Sequence, residues 1–346
     1  MRRQSFRTML SAAMVLGVVS TAARHADADG IEQKRVVIAV GGVTSQMDKL
    51  PYAVAVNRGY FRDEGLDVES VDFNSGAKGL EAMVGGSADV TQGAFEHIPE
   101  LQAKGVNLIS FALFSRYPGD VLVIAKKWAG EIRSPADLKG RTIGISSPGS
   151  ATQAFLGLVL RRAGMNLECC SYVAVGNGAG AVASMRSGNL DALVNLDPNI
   201  TELQLNGDVV VMADSRTAEG TREYYGGDYI VGSLYAKSEW VAKHPNTVQA
   251  LANGIAHAMQ WLRTTPLDGI VDGMPPEYYQ SSREHYRKVV ENNLPAFQWD
   301  GIATPAAAKN TVNALAVLEP ELATAPIDLA KTYTNDFMIR ANQKFP

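Results

Sequence analysis

The sequence predicts an α/β protein built from two doubly wound halves, with a helical C-terminal part. Three observations carry this. Short apolar strands alternate with helical patterns, the alternation restarts near residue 142, and one spacing, M-x-x-G-x-x-D, recurs at the same place in both halves. Strands alternating with helices of this length imply βαβ units, mostly parallel pairing and right-handed crossovers.

In the first half, strands are expected over 36–40, 66–73, 88–92 and 108–114, with helices over 51–64, 79–84 and 98–103. The second half repeats the scheme, with strands over 142–146, 172–175 and 192–195 and helices over 151–163 and 179–186. Strand-like stretches at 121–125 and 229–235 flank it. Beyond them, helical spacing covers 240–263, 277–292, 305–318 and 327–342, with Pro-containing breaks between. If the two flanking stretches cross between the halves, residues 29–126 and 228–346 form one discontinuous lobe. Residues 127–227 then form the other, with hinges near Ala125 and Ile230.

The echo consists of Met83, Gly86 and Asp89 in the first half and Met185, Gly188 and Asp191 in the second. Its physical reading is a helix that packs Met on the sheet and stops at a Gly able to adopt the left-handed conformation. An Asp then sits just before a buried strand.

The N-terminus indicates export. Arg2, Arg3 and Arg7 precede an apolar run from Met9 to Ala23, and small residues end at Ala26-Asp27-Ala28. That order is a secretory signal peptide over residues 1–28, cleaved near Ala28. An apolar run of about fifteen residues is too short for a hydrocarbon core of roughly 30 Å. The Arg2-Arg3 pair leaves both general and twin-arginine export open. The remainder, with 28 Lys+Arg against 35 Asp+Glu, has a formal charge of −7. Such a mildly acidic body argues against nucleic acid or an anionic membrane as partner. Cys169 and Cys170 are adjacent, so they cannot staple distant segments; the simplest reading is a strand start with one buried and one exposed side chain.

Ligands of open α/β sheets collect at the carboxyl ends of strands. After the first strand of the first half come Thr44, Ser45 and Gln46. After that of the second half come Ser147, Gly149, Ser150 and Thr152. Both segments are hydroxyl-rich and lead to a helix, whose free N–H groups and dipole suit an anion. Ser150 and Gln153 also form the S-x-x-Q pattern of a capping box. After the third strands come Gly93, Ala94 and Phe95, followed by His97, and then Asp197-Pro198, a pair that by itself fits a helix cap followed by proline. Gly93 allows close backbone approach and Phe95 could supply a wall. Arg116, after the fourth strand, could fork onto an anion or lie in a surface ion pair. No G-x-S-x-G, H-E-x-x-H or Walker pattern occurs, and no metal-ligand spacing links the histidines, so neither catalytic residues nor a cofactor is expected.

With these residues in view, Tyr52, Gly59-Tyr60-Phe61, Glu64-Gly65-Leu66 and Val68 resemble the start of a known family. It comprises the alkanesulfonate, taurine and nitrate substrate-binding proteins of ABC transporters, together with thiamine-pyrimidine-precursor binders. Gly79-Leu80-Glu81-Ala82 to Asp89, Asp137-Leu138-Lys139-Gly140 to Ile145, Gly188 to Asp191 with Asp197-Pro198, and Lys237 to Ala250 with His244-Pro245 extend the resemblance over most of residues 35–265. It implies a type II periplasmic-binding-protein fold that closes on a small organic anion and delivers it to an ABC permease and its ATPase. Such a protein is periplasmic, monomeric and peripheral to the membrane only through the permease. By position, Thr44 to Gln46, Gly93, Ala94, Ser147 to Thr152 and Asp197 match the family's cleft-facing loops. Sulfonate binders of the family often carry Trp before the Asp-Pro pair, where this sequence has Leu196. A pyrimidine-precursor synthase-like enzyme on the same fold and a ligand-sensing domain are the alternative readings.

Overall fold

The computed structural model describes residues 30–279 and 281–346. The expected signal peptide, residues 1–28, lies outside the described residues. The first half contains β1 (Arg35–Gly41), α1 (Leu50–Asn57), α2 (Tyr60–Asp63), β2 (Asp67–Phe73), α3 (Gly76–Val84), β3 (Val90–Ala94), α4 (His97–Ala103) and β4 (Leu108–Leu113). The expected helix over 51–64 is broken at Gly59, whose φ of 77° turns the chain between α1 and α2.

The second half follows with β5 (Val121–Ala125), β6 (Thr142–Ile145), α5 (Ala151–Arg162), β7 (Ser171–Ala174), α6 (Ala179–Arg186) and β8 (Ala192–Asn195). It continues through α7 (Asn199–Leu205), β9 (Val209–Asp214) and α8 (Ala218–Tyr225). The chain then returns through β10 (Gly232–Lys237) to a helical tail: α9 (Ser238–Lys243), α10 (Pro245–Thr264), α11 (Leu267–Asp272), α12 (Arg283–Asn293), α13 (Pro305–Ala316) and α14 (Asp336–Lys344). The expected helix over 240–263 is two helices, because Pro245 begins a new one after His244.

Two five-stranded sheets result, ordered β2-β1-β3-β10-β4 and β7-β6-β8-β5-β9. Each is mixed rather than purely parallel. β10 runs antiparallel to β3 and β4, and β5 runs antiparallel to β8 and β9. This corrects one expectation: Val121–Ala125 is an interior strand of the second sheet, not the crossing itself. The chain crosses between sheets over 114–120 and returns over 226–231, so the first crossing lies before β5 and not near Ala125.

The recurring spacing has one structural cause in both halves. Asp89 Oδ2 accepts from the Val37 N–H at 2.8 Å, and the Asp89 N–H donates to the Val37 carbonyl at 2.9 Å. Asp191 does the same with Thr142, at 2.9 and 2.8 Å. Asp89 therefore ties the start of β3 to β1, and Asp191 ties the start of β8 to β6. Gly86 and Gly188 supply the positive φ after α3 and α6, at 84° and 79°, and Met83 and Met185 are buried against the sheets.

Apolar residues cover both faces of both sheets. Phe61, Leu251, Ile255, Met259 and Met338 pack on one face of the first sheet, and Phe95, Ile98 and Ile230 lie in the core on the other. His257 stacks between Tyr60 and Phe345, with centroids 3.7 and 4.5 Å away, as a packing residue. Cys169 and Cys170 are both half-buried and unbridged, so the expected split into one buried and one exposed side chain does not occur. No helix among the described residues is long and apolar enough to cross a membrane.

Candidate functional site

A narrow cavity of about 40 Å³ lies between the two sheets, at the carboxyl ends of β1, β3 and β6. Gly41, Gly76, Gly93, Ala94 and His97 line it from the first half, and Ser146, Ser150, Thr152, Asn177 and Leu196 from the second. Asp48, Lys49, Pro118 and Asp120 complete much of the wall. The glycines here serve close packing: a Cβ on Gly41 would stand 2.7 Å from the Gly76 Cα. The end of β1 and the start of α3 can therefore touch only as bare backbone.

At the start of α5 the sequence expectation is half met. Ser150 is the N-cap residue, but its hydroxyl caps nothing. It donates to the Ser147 carbonyl at 2.7 Å and accepts from Ser146 Oγ at 2.8 Å. Gln153 does not close a capping box, because its Oε1 accepts from the Gly149 N–H at 2.8 Å. Ser146, Ser150 and Thr152 instead form a triangle of hydroxyls, each 2.8–2.9 Å from the next. Their rotating protons can be redirected to a ligand, beside helix N–H groups that no side chain caps.

The other predicted residues distribute unevenly. Gly93 and Ala94 line the cavity. Phe95 is fully buried in the core, edge-on to Tyr333, and supplies no wall. Thr44 turns away, with its hydroxyl and N–H both on Asp72. Ser45 is not among the lining residues. Gln46 is buried, with its Oε1 accepting from Val43 N–H at 3.3 Å. Ser147 reaches across to Ser75, and Gly149 is an exposed turn with φ 74°. Asp197 does not line this cavity. Its carboxylate accepts from the Thr201 N–H, from Arg216 at 3.1 Å and from Asn293 at 2.8 Å, which makes it an anchor between α7 and α12. Arg116 is exposed outside the cavity. It stacks on Tyr117 and donates to the Pro295 carbonyl at 3.2 Å.

Two lining groups, Lys49 and Asp120, were not named from the sequence. Lys49 is buried, with its Nζ 2.6 Å from Asp48 Oδ2. Asp120 is buried, and Tyr225 donates to its Oδ2 at 3.3 Å. Burial, reinforced by the charges of Glu96 and Asp48, raises the Asp120 carboxyl well above its ordinary range. Behind Ala94, Glu96 is pushed up to about 7 by burial, even though Tyr229 donates to it at 2.9 Å. His97 is also buried. Burial lowers its basicity, but the hydrogen bond and charge of Glu100 and the charge of Glu96 outweigh that and raise it. His97 was singled out from the sequence, and a further hint lay in Asp120, an acid abutting the apolar strand VLVIA. Among the described residues, no cluster of three or more His, Cys, Asp or Glu is arranged to hold a metal ion.

Residues 46–268 match the family described as NMT1/THI5 like. The chain belongs to the NMT1/THI5-like family. Among its relatives, an aliphatic sulfonates-binding protein of Escherichia coli (strain K12) is 30% identical over 181 residues, 49% of this chain and 55% of that protein. This chain thus spans just over half of that relative's length. A solved structure from Bordetella bronchiseptica RB50 is 40% identical, with a TM-score of 0.88 over 91% of this chain and 99% of that one. The alkanesulfonate-binding protein SsuA of Xanthomonas axonopodis pv. citri, bound to MOPS, shares 20% identity. Its TM-score is 0.68 over 88% of this chain and 99% of that one, a likeness of fold. The resemblance drawn from the sequence and the periplasmic-binding-protein fold are therefore both borne out, and NMT1/THI5-like proteins include substrate-binding components of ABC transporters.

Proposed function

We propose that this NMT1/THI5-like protein is the extracytoplasmic solute-binding component of an ABC importer. It captures a small polar molecule between its two sheets and hands it to a membrane permease coupled to an ATPase. The observation that carries this reading is the hydroxyl triangle of Ser146, Ser150 and Thr152 at an uncapped helix start, facing a cavity whose wall both halves build. Such a start suits the negative or acceptor end of a ligand. The sulfonates named for its relatives have such an end. Residues 30–113 with 232–346, and residues 121–214, act as two lobes. The crossings at 114–120 and 226–231 flex as hinges when solute shifts the population towards closure.

The test is a thermal-shift screen over sulfonates, carboxylates, nitrate and pyrimidines, followed by calorimetry and recovery of the tightest ligand. A one-to-one isotherm with the ligand returned unchanged is expected. Steady release of a product would point to an enzyme on the same fold. Mass spectrometry of the exported protein should find Asp29 as its first residue.

A further inference from the structure

A second cavity, of about 180 Å³, lies against both crossings that join the two halves. Arg116 and Tyr117 of the first crossing line it, as do Gly227 to Ile230 of the second. Arg222 on α8 closes it from the second half, and Ile302 and Ala307 close it from the C-terminal part. It shares no lining residue with the cavity between the sheets. Its volume compares with the roughly 150 Å³ of an apolar cavity that takes up benzene.

The polar wall of this cavity is cationic. Arg116 is exposed, stacks on Tyr117 and spends one N–H on the Pro295 carbonyl, which leaves the rest of its fork for a ligand. Arg222 is exposed and has no hydrogen-bonding or carboxylate partner among the described residues. Asp228 is the one acid among the lining residues, and no ion pair among the described residues joins it to either arginine. Two guanidiniums brought to one cavity repel each other, and neither can shed its proton. An oxyanion between them relieves that repulsion and takes the planar fork of each. Leu113, Ile230 and Ile302 make the remaining wall apolar, which suits a hydrocarbon body. We propose that this cavity is a second ligand site, for a small carboxylate with a ring-sized apolar body, held by Arg116 and Arg222. A ligand so held ties the first crossing to α8, the helix that leads into the second, and stiffens both. It is an effector of the hinge, distinct from the solute between the sheets.

The test uses the full mature chain and 4-fluorobenzoate, titrated by fluorine NMR with neutral 4-fluorobenzamide as the control. The carboxylate should bind saturably and roughly tenfold or more tighter than the amide, and Arg116→Gln and Arg222→Gln should each weaken it by a similar factor. Both arginines are exposed, so neither change endangers the fold. Amide hydrogen exchange over 114–120 and 226–231 should slow when the carboxylate is added to wild type, and not when it is added to Arg222→Gln. Equal binding of the amide, an affinity unchanged in either arginine variant, or the absence of saturable binding would overturn the inference. Protection over 146–152 in place of the crossings would assign the carboxylate to the cavity between the sheets and overturn it equally. No transported solute enters this titration, so its failure and that of the solute-binding reading are told apart.

Discussion

Ser147 Oγ donates to Ser75 Oγ at 2.8 Å, and this bond joins the two halves of the molecule. Ser75 is the N-cap of α3 on the first sheet, where it accepts from the Lys78 N–H. Ser147 precedes α5 on the second. Nearby, the Asn177 N–H donates to the Asn74 carbonyl at 3.1 Å and the Met47 N–H to the Asp197 carbonyl at 3.2 Å. The two helix starts that face the cavity are thus fastened to each other by direct polar contacts.

Ser147→Ala should loosen this fastening without unfolding either half. A typical net hydrogen bond contributes about 0.5–1.5 kcal/mol, so ligand affinity should fall by roughly two- to tenfold. The loss should appear in the dissociation rate, read by stopped-flow fluorescence. An unchanged dissociation rate would mean the contact does not resist opening.

Asp197→Ala should destabilise the protein much more. Removing one partner of a buried ion pair costs about 3–5 kcal/mol. Arg216 keeps Asp214, at 2.6 Å, which should reduce the loss to roughly 2–4 kcal/mol. Urea unfolding measures it, and a loss below that of an ordinary surface substitution would contradict the anchoring role.

Stability should fall as pH rises. Glu96 is held near 7, against 4.5 ordinarily. Between those values the unfolded chain ionises while the buried carboxyl keeps its proton, so the folded state binds more protons and loses stability with increasing pH. The raised affinities of His97 and Asp120 act in the same direction. The groups involved include Glu100, Glu319 and Tyr229 as well as these three. The contribution of Glu96 alone is on the order of 3 kcal/mol. Glu96→Gln should flatten the pH profile of urea unfolding between pH 4.5 and 7 and stabilise the protein at pH 8. A profile as steep as that of wild type would assign the effect elsewhere.

The strands and the Asp89 and Asp191 ties were legible because they depend on local pattern: apolar runs, a helix-stopping Gly and an Asp at fixed spacing. The stretch 199–225 was not assigned. There β9 is an edge strand that mixes buried with partly exposed positions, and α7 and α8 are short. The lining of the candidate cavity was legible where backbone placement decides it, at Gly93, Ala94, Ser150 and Thr152. It was illegible where long-range pairing decides it. Asp197 faces Asn293, and Glu96 faces Tyr229, across about a hundred residues of sequence or more. The stacking of Arg116 on Tyr117 and its bond to Pro295, outside the cavity lining, were likewise illegible.

The central claim, that the α5 start holds the solute between the sheets, is tested most directly by calorimetry on Ser150→Ala and Thr152→Ala with the tightest ligand of the screen. Losing a hydrogen bond to a charged group costs about 1.5–3 kcal/mol, so each variant should bind roughly ten- to a hundredfold more weakly, with an unchanged circular dichroism spectrum. Wild-type affinity in both variants would place the solute elsewhere and contradict the account.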